Sequence, residues 1–291
     1  MLTGCNLPPS DPVVAMQDAD AGMVRPLSAE VAETSALACL PSQQFLTLND
    51  SGNPPLLYQL NANGDITATI QTDATNQDWE ALAIHQGQLW IADIGNNTGE
   101  RTTIQLYHAP LPADRRQPMR MKSNTLRYPG PPLVNPSPYQ HERDAEALVS
   151  TGSQLLLFSK NWLGPQSRVY AADTTQPTSV LTLAGITAPL PGLITDAAFS
   201  ARHRVFIIAG YQNFRQNPLP LLISGDFSPF LAVLDMQFQL IRSVSLDTGG
   251  QLEAICLDEA ENIWLSQEKS AQHQAKLWRW GTLEQLLKTT D

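Results

Sequence analysis

The stretch DWEALAIH, residues 78–85, places two acidic side chains in front of a run of small and apolar residues. Related stretches recur along the chain, and each is followed by a second and a third short apolar run. The five copies, aligned on one alanine, are ETSALACL (33–40), DWEALAIH (78–85), DAEALVST (144–151), TDAAFSAR (195–202) and QLEAICLD (251–258). Regular self-similarity of this kind predicts a repeat architecture.

The repeats have the composition of short β-strands. The first four copies add a fourth apolar run, so each repeat offers four strands separated by Gly, Asn, Asp and Pro, with a repeat length of roughly 45 to 65 residues. This pattern is typical of propeller blades. A parallel βαβ fold is disfavoured, because no amphipathic helical pattern lies between the runs and only residues 281–290 read as a helix. We predict an all-β, five-bladed β-propeller, and leave six blades open because residues 111–143 are long enough to contain an irregular pair of strands.

The two ends of the chain complement each other. The fifth repeat lacks a fourth run, whereas GMVRPLSA (22–29) is a strand-like piece left over before the first repeat. A propeller has no exposed sheet edge when one chain end completes the blade of the other. The sequence therefore predicts that an N-terminal strand closes the ring, with residues 22–291 forming a single propeller domain.

Composition limits the function. The chain has 291 residues, of which 42% are hydrophobic and 16% charged, and its formal net charge is −10. Nucleic acid is excluded as a partner because no basic stripe offsets the excess of acid. The sequence contains no apolar run of about 18 residues that would cross a membrane as a helix. We expect a monomer that binds a small molecule, a peptide or a glycan.

The first five residues, MLTGC, resemble the lipobox of bacterial lipoproteins, in which the cysteine is lipidated. Residues 1–21 are then a lipobox remnant and a flexible tether, because the segment is rich in Pro, Asp and Ala and lacks periodicity. The resemblance implies lipidation of Cys5 and a location in the bacterial cell envelope, at the outer membrane or in the periplasm, or secretion. The lipid would be the only contact with the membrane. The alternative is an ordinary disordered N-terminus with a chance cysteine.

The order of NDSGN, DWEALA, IADIGNN, DAEAL followed by SK, and LEAI followed by SQE resembles a family of bacterial secreted β-propellers. That family is distantly similar to phytase-type esterase-like and to gluconolactonase-like or quinoprotein-like propellers, and the resemblance covers nearly the whole chain after residue 33. It implies the propeller fold and, less specifically, esterase or lactonase chemistry. Fold alone does not fix the activity.

Polar side chains are expected to collect at one rim of the propeller. In an antiparallel blade the first strand begins at the end where the second strand finishes, so residues at these two positions share one face. A D-x-G-N pattern occurs twice there, and its glycine permits a tight turn. The predicted rim residues are Asp50, Asp78, Glu80, Asp93, Asn96, Asp144, Glu146, Lys160, Asp196, Tyr211, Glu253 and Glu268.

Clustered carboxylates repel one another unless a cation lies among them. Oxygen ligands suit Ca²⁺, whereas the five histidines are dispersed and the cysteines are too few for zinc. The alternative is that the carboxylates hold turn amides and that Lys160 neutralises a pair of them. The predicted Ca²⁺ ligands are Asp50, Asp78, Glu80, Asp93, Asn96, Asp144, Glu146 and Glu253.

Motifs for serine hydrolases, nucleotide triphosphatases, zinc proteases and Rossmann enzymes are absent from the sequence. The predicted chemistry is metal-assisted hydrolysis of an ester, a lactone or a phosphoester. Glu80, Glu146 and Glu253 would act as metal ligands or as the base, and Lys160 would stabilise the developing anion. The competing hypothesis is a non-catalytic binding or scaffold protein of the cell envelope, and the sequence does not decide between the two.

Two cysteines remain after Cys5 is assigned to lipidation. Cys39 lies in the first repeat and Cys256 in the last, and these repeats are neighbours in a closed ring. Counted from the aligned alanines, the two side chains leave opposite faces of their blades, as a bridge across the blade interface requires. Both a disulfide and two separate buried thiols stay open at this point.

Overall fold

The computed structural model describes residues 23–115, 117–212 and 227–288. Five antiparallel sheets, each of four core strands, form a five-bladed β-propeller. The prediction of an all-β propeller with five blades is confirmed. The predicted tether (1–21) and the lipidation site Cys5 lie outside the described residues. None of the helices in the described part of the chain is long and apolar enough to cross a membrane.

The strands occur where the apolar runs predict them. In chain order they are β1 (Arg25–Pro26), β2 (Thr34–Leu40), β3 (Gln44–Asn49), β4 (Leu56–Leu60), β5 (Ile66–Gln71), β6 (Trp79–His85), β7 (Gln88–Asp93), β8 (Ile104–Pro110), β9 (Lys122–Arg127), β10 (Ala145–Ser150), β11 (Leu155–Ser159), β12 (Arg168–Ala172), β13 (Thr178–Val180), β14 (Thr182–Ile186), β15 (Leu193–Ser200), β16 (Val205–Gln212), β17 (Ser228–Leu234), β18 (Leu240–Ser245), β19 (Leu252–Leu257), β20 (Asn262–Gln267) and β21 (Lys276–Thr282).

Each blade is built from strands that are consecutive in sequence, except that blade 3 omits β13 and blade 5 includes β1 from the start of the chain. Blade 1 is β2 to β5, blade 2 is β6 to β9, blade 3 is β10, β11, β12 and β14, blade 4 is β15 to β18, and blade 5 is β19, β20, β21 and β1. Strand β13 leaves blade 3 and pairs in parallel with β9 on the outer edge of blade 2. Residues 111–143 therefore supply one outer strand and loops to blade 2 and do not form a sixth blade.

The chain ends close the ring as predicted. Strand β1 pairs antiparallel with β21, where Arg25 lies opposite Leu277. The amide of Leu27 extends this pairing with a 2.8 Å hydrogen bond to the carbonyl of Ala275. Helix α1 (Leu283–Lys288) follows β21, in the segment predicted to be helical. An N-terminal strand thus completes the last blade.

The same irregularity occurs near the start of all five inner strands. Pairing with the second strand skips one residue in each blade, which is a β-bulge. A bulge inserts an unpaired residue and re-aims its side chain. The five bulge residues are Ser35, Glu80, Glu146, Thr195 and Glu253. One position of the repeat therefore has a distinct orientation in every blade.

After the bulge, small and large residues alternate for a packing reason. Ala81 and Ala83 belong to the core between blades 2 and 3, whereas Leu82 belongs to the core between blades 1 and 2. Similarly, Ala147 faces blade 4 and Leu148 faces blade 2. Small side chains on one blade leave room for the larger side chain of its neighbour, which gives close packing. This requirement accounts for the alanine followed by a larger apolar residue at 36–37, 81–82, 147–148 and 254–255.

The register of blade 4 corrects the sequence alignment. The alignment equates Ala198 with the alanines of the other blades, but Asp196 occupies that position, paired with Ala209. The reason is that the bulge of blade 4 is at Thr195, two residues before the position that the sequence alignment assigns to it. The carboxylate of Asp196 accepts hydrogen bonds from the amides of Ala197, at 2.8 Å, and of Ile255 in blade 5, at 2.9 Å. Asp196 therefore clamps two blades together, and burial raises its pKa well above the usual range.

A disulfide joins the first and last blades. Cys39 and Cys256 are bonded, with their Cα atoms 5.5 Å apart and a sequence separation of 217. Their neighbours Leu37 and Trp264 are buried in the same core between blades 1 and 5. Of the two arrangements that the sequence leaves open, the bridge is the one present.

We expect loss of this disulfide to lower the free energy of unfolding by about 2–5 kcal/mol, because the bridge restricts the unfolded chain over a very long loop. Urea denaturation of the Cys39→Ala/Cys256→Ala variant measures the effect. Adding a thiol reductant to the wild type should reproduce it, and the double variant should not respond to the reductant. Equal midpoints for the oxidised and reduced wild type would contradict the prediction.

Candidate functional site

Three bulge glutamates converge on one lysine at the mouth of the central channel. Glu80, Glu146 and Glu253 come from blades 2, 3 and 5, and all three are buried. Lys160 follows β11, where its amide donates a 2.8 Å hydrogen bond to the carbonyl of Asp144. The Nζ atom of Lys160 lies 2.9 Å from Oε2 of Glu146. We call Glu80, Glu146, Glu253 and Lys160 the inner ring.

The other two bulges carry hydroxyl groups, and these hold neighbouring blades. Ser35 donates a 3.1 Å hydrogen bond to the carbonyl of Trp79, which precedes Glu80. Thr195 donates a 2.7 Å hydrogen bond to the carbonyl of Leu252, which precedes Glu253. Each hydroxyl thus fixes the backbone directly before a bulge glutamate of the next blade. The bulge residue therefore bonds to the next blade in blades 1 and 4, and it supplies a glutamate of the inner ring in blades 2, 3 and 5.

Lys160 keeps its positive charge although it is buried. Its Nζ atom lies 5.1 Å from the ring centre of Trp162 and 5.9 Å from that of Tyr211, within the range of cation–π attraction. Burial alone would lower the pKa of Lys160, but Glu146 and the other acidic groups around it raise the pKa well above its usual range. Lys160 is therefore the permanent cation of the inner ring.

One ammonium group does not neutralise three glutamates. Burial raises the pKa values of Glu146 and Glu253, and Lys160 opposes this increase. For Glu80 the burial effect comes first as well, but the next contributions, from Glu146 and Asp78, raise its pKa further. The neighbouring carboxylates therefore favour the protonated form of Glu80, and Lys160 opposes them.

Asp78 and Glu80 meet over the backbone of Gly95. A Cβ atom at position 95 would collide with Oδ2 of Asp78 and with Oε1 of Glu80. The amides of Ile94 and Gly95 both donate to the carbonyl of Asp78, at 3.1 and 3.2 Å. The glycine of the second D-x-G-N pattern is thus required for the close approach of two carboxyl groups.

The two carboxyls of this pair differ in proton affinity. Burial, and then Asp144, raise the pKa of Asp78 to about 6, while Arg101 opposes the increase. The pKa of Glu80 lies well above its usual range. The pKa of Asp78 thus lies below neutral pH, whereas burial, Glu146 and Asp78 favour the protonated form of Glu80. A base and an acid therefore lie side by side, which is the arrangement that general acid–base catalysis uses.

A polar cavity of about 440 Å³ opens beside Asp78. Arg101 forms part of its wall, where the guanidinium group lies 2.7 Å from Oδ1 of Asp93 and donates to the carbonyl of Gly95, also at 2.7 Å. The cavity is lined by Gln77, Asp78, Asn96, Asn97, Thr98, Glu100, Arg101, Thr102 and Thr103. Asp78 therefore lies where this cavity meets the channel mouth.

A second group of carboxylates surrounds the mouth outside the inner ring. We call Glu33, Asp50, Asp78 and Glu268 the outer set. The Nδ2 atom of Asn53 lies 2.6 Å from Oε2 of Glu33 and 3.4 Å from Oδ1 of Asp50. Burial, then Glu33 and Glu253, raise the pKa of Asp50 to about 7. Burial, then Glu253 and Asp50, raise the pKa of Glu268 to about 9.

Other predicted rim residues hold loops in place. Asp93 accepts hydrogen bonds from the amides of Gln77 and Asp78 in addition to its ion pair with Arg101. The amide of Asn96 donates to Oδ1 of Asp144 at 2.6 Å. Trp162 Nε1 donates to the other oxygen of Asp144 at 2.8 Å, and burial raises the pKa of this carboxyl. The observed bonds of Asp93, Asn96 and Asp144 agree with the alternative prediction, in which the polar side chains of the rim hold turns in place.

The calcium prediction meets a geometric obstacle. Among residues 23–115, 117–212 and 227–288, no three His, Cys, Asp or Glu side chains are grouped as ligands of one metal ion. Ca²⁺ needs six to eight oxygen atoms at about 2.3–2.6 Å. The donor set does not fit that shell, so Ca²⁺ stays a prediction and has no part in the mechanism below.

Sequence reasoning missed two features of the site. Arg101 lies outside the repeats, in the loop before β8, and no pattern in the sequence marks its pairing with Asp93. Glu33 stands directly before the first inner strand, at the repeat position that Asp78 and Asp144 occupy in blades 2 and 3. The repeat alignment could therefore have identified it, as could its proximity to Asp50 across the first hairpin, where Thr34 pairs with Asn49.

No family model matches the sequence, and no curated protein matches it. Among solved structures, a glucose dehydrogenase is similar with a TM-score of 0.52 and 11% identity, over 89% of this chain and 99% of that chain. Hydrazine synthase from Kuenenia stuttgartiensis has a TM-score of 0.40 and 10% identity, over 81% of this chain and 56% of that chain. The first similarity supports the β-propeller fold, and neither similarity carries an activity.

We expect Lys160→Met to lower the free energy of unfolding at pH 7 by about 3–5 kcal/mol, because it leaves buried carboxylates without their cation. The loss should shrink towards pH 4, where these carboxyls are protonated. Urea denaturation between pH 4 and pH 8 measures it. Adding Glu146→Gln should restore part of the loss, and the exposed Lys122→Met is the control. A loss that does not change with pH would contradict the electrostatic role.

Proposed function

We propose that the channel mouth hydrolyses small neutral esters or lactones, with Asp78 as general base and Glu80 as general acid. The observation that supports this is the convergence of the two carboxyls over Gly95, at the edge of the polar cavity. The proposal keeps the esterase or lactonase chemistry that the sequence resemblance implies. It replaces metal assistance by the two carboxyls and the lysine of the inner ring.

The reaction needs only water as co-reactant. The carboxylate of Asp78 takes a proton from a water molecule while the water oxygen bonds to the substrate carbonyl carbon. Glu80 then gives its proton to the leaving oxygen as the carbon–oxygen bond breaks. The products are a carboxylic acid and an alcohol, or one hydroxy acid from a lactone. Proton transfer from Asp78 back to Glu80 restores the pair.

The charge of the mouth selects among the predicted substrates. The inner ring and the outer set together contain seven carboxyl groups, and Lys160 is the cation among them. A phosphoester would bring further negative charge into this field, and like charges at short distance repel. Neutral esters and lactones avoid that repulsion. The phosphoester expectation is therefore the least favoured of the three.

Lys160 acts through Glu146 in this scheme. Its ammonium group is held by Glu146 and by the faces of Trp162 and Tyr211, so it is a positioning residue rather than the direct anion stabiliser expected from sequence. Burial and the charge of Glu146 favour the protonated form of Glu80, and the ammonium group of Lys160 opposes them.

The second candidate is a binding protein without turnover. Next to the mouth, Tyr139 packs against Trp162 with ring centres 4.9 Å apart, and Leu163 beside them is 62% exposed. Exposed aromatic and apolar side chains of this kind favour recognition of a peptide or a glycan. The kinetic experiment separates this candidate from the hydrolase.

We expect Asp78→Asn and Glu80→Gln each to lower kcat for p-nitrophenyl acetate or a five-membered lactone by about 10²–10⁴-fold, the usual contribution of a general acid or base. The rate should rise with pH through about 6 as Asp78 ionises, and fall at higher pH as Glu80 loses its proton. The exposed Asp173→Asn is the control, and p-nitrophenyl phosphate should not be turned over. Ligand binding without hydrolysis of any ester or lactone would favour the binding protein.

We also propose export and a lipid anchor at Cys5. The disulfide between Cys39 and Cys256 supports export, because such bonds persist in oxidising compartments. Growth of an expressing bacterial host with labelled palmitate should label the wild type and not Cys5→Ser. Label retained in Cys5→Ser, or absent from both proteins, would contradict the anchor.

A further inference from the structure

A cavity of about 480 Å³ lies between blades 3 and 4. Strands β10 and β15 begin at the channel mouth, so the turns that follow them, which form part of the cavity rim, lie at the opposite end of the propeller. Among the described residues, none lines both this cavity and the polar cavity beside Asp78. We call it the interblade cavity, and its lining includes Thr151, Gln154, Leu156, Phe199, Ala201 and Arg204.

Aromatic side chains form much of the inner surface of this cavity. The ring centre of Phe206 lies 5.0 Å from that of Phe199 and 5.4 Å from that of Phe238, and all three residues line the cavity. Phe199 and Met236 pack against the core between the two blades but are only half-buried. Aromatic rings and methionine sulfur both make favourable contacts with a further aromatic ring. The interblade cavity therefore offers a surface suited to a ring system.

The position of one of these rings is fixed by the backbone. Phe238 has a left-handed conformation, with φ of 61°, which a bulky residue rarely adopts. Its carbonyl accepts a 2.8 Å hydrogen bond from the amide of Ala188. A Cβ atom at Gly185 would collide with the ring of Phe238, so the glycine is required for this contact. The aromatic surface is thus formed before a ligand arrives, which lowers the entropic cost of binding.

Arg204 supplies a positive charge at the rim. Arg202 and His203 precede it in the same turn, but their side chains are directed towards Glu261 of blade 5, at N–O distances of 3.9 and 3.1 Å. Arg204 lines the interblade cavity instead. Among the ion pairs formed by the described residues, none involves Arg204. Its planar guanidinium group is therefore available to an anion, and its paired N–H donors match a carboxylate.

The rest of the rim does not oppose this charge. Thr151, Ser153 and Gln154 in the turn after β10 contribute neutral polar side chains, and no Asp or Glu is among the described lining residues. The nearby Asp235 accepts hydrogen bonds from the amides of Gln237 and Gln239, at 2.8 and 2.9 Å. Although the whole chain has a formal net charge of −10, the charge of this cavity favours an anionic ligand.

We propose that the interblade cavity binds a bicyclic aromatic carboxylate. The rings pack against Phe199 and Met236, and the carboxylate pairs with Arg204. The volume is within the range of sites that hold small organic molecules, and it has room for two fused rings with their carboxylate. This binding function goes beyond the proposed hydrolysis, because it uses other residues at the opposite end of the propeller.

Calorimetric titration with 2-naphthoate at pH 7 tests the proposal. We expect saturable binding of one molecule per chain. The neutral isostere 2-naphthamide should bind at least tenfold more weakly, because it cannot form the ion pair with Arg204. The aliphatic carboxylate octanoate should also bind at least tenfold more weakly, because it has no ring. Absence of saturable 2-naphthoate binding, or equal affinity for either comparison compound, would overturn the proposal.

Variants locate the site. Arg204→Gln should weaken 2-naphthoate binding at least tenfold, whereas Arg202→Gln, which removes the same charge from the same turn, should bind as the wild type does. Ala201→Trp places a large side chain at an exposed position of the rim and should block binding. Thermal unfolding without ligand establishes that each variant is folded. Equal affinities of Arg204→Gln and Arg202→Gln would overturn the proposal.

The two proposals of this article fail independently. Asp78→Asn should bind 2-naphthoate with the affinity of the wild type, because Asp78 lies at the channel mouth. Arg204→Gln should likewise leave any ester or lactone hydrolysis unchanged. Loss of 2-naphthoate binding in Asp78→Asn would place the ligand at the mouth and overturn the interblade site.

Discussion

The ion pair between Lys160 and Glu146 is the interaction on which the rest of the mouth depends. Its Nζ–Oε2 distance is 2.9 Å, and both side chains are buried. Paired charges are tolerated in a protein interior only when their remaining polar atoms also find partners. Here the rings of Trp162 and Tyr211 cover the ammonium group, and two more glutamates face it. Without this cation, three blades would direct buried carboxylates at one another with nothing between them.

One backbone device assembles this cluster from separate repeats. A β-bulge at the start of each inner strand turns a single side chain towards the channel, so a residue that would otherwise be packed between blades becomes available for the site. Blades 1 and 4 use this position for Ser35 and Thr195, which bond to the next blade. The site is therefore distributed around the ring, and each contribution depends on the blade before it.

Much of this arrangement can be predicted from the sequence. The predictions are wrong where the position of a side chain depends on the local backbone geometry. The recurrence of Glu-Ala before an apolar residue identified these inner strands and placed Glu80, Glu146 and Glu253 together, because one repeat position has one place in a propeller. It did not reveal that the bulge of blade 4 lies two residues earlier, so Asp196 was expected at the rim although it clamps Ile255. The role of Gly95 was read as a turn only, since close approach of two distant carboxyls leaves no local pattern.

The two ends of the channel have different roles: one contributes mainly to stability, and the other carries the acid–base groups. At the end away from the acidic mouth, the inner strands line a cavity of about 180 Å³ whose residues include Leu37, Leu148, Ile255 and both bridged cysteines. Apolar burial and a covalent bond there hold the first and last blades together without any charged group. The mouth also contributes bonds between these two blades, such as the 2.7 Å hydrogen bond from the amide of Lys269 to the carbonyl of Ala32, but its carboxyls repel one another. Burial, and then neighbouring carboxylates, raise the pKa values of both Asp78 and Glu80, and shifted pKa values of this kind are what an acid–base site requires.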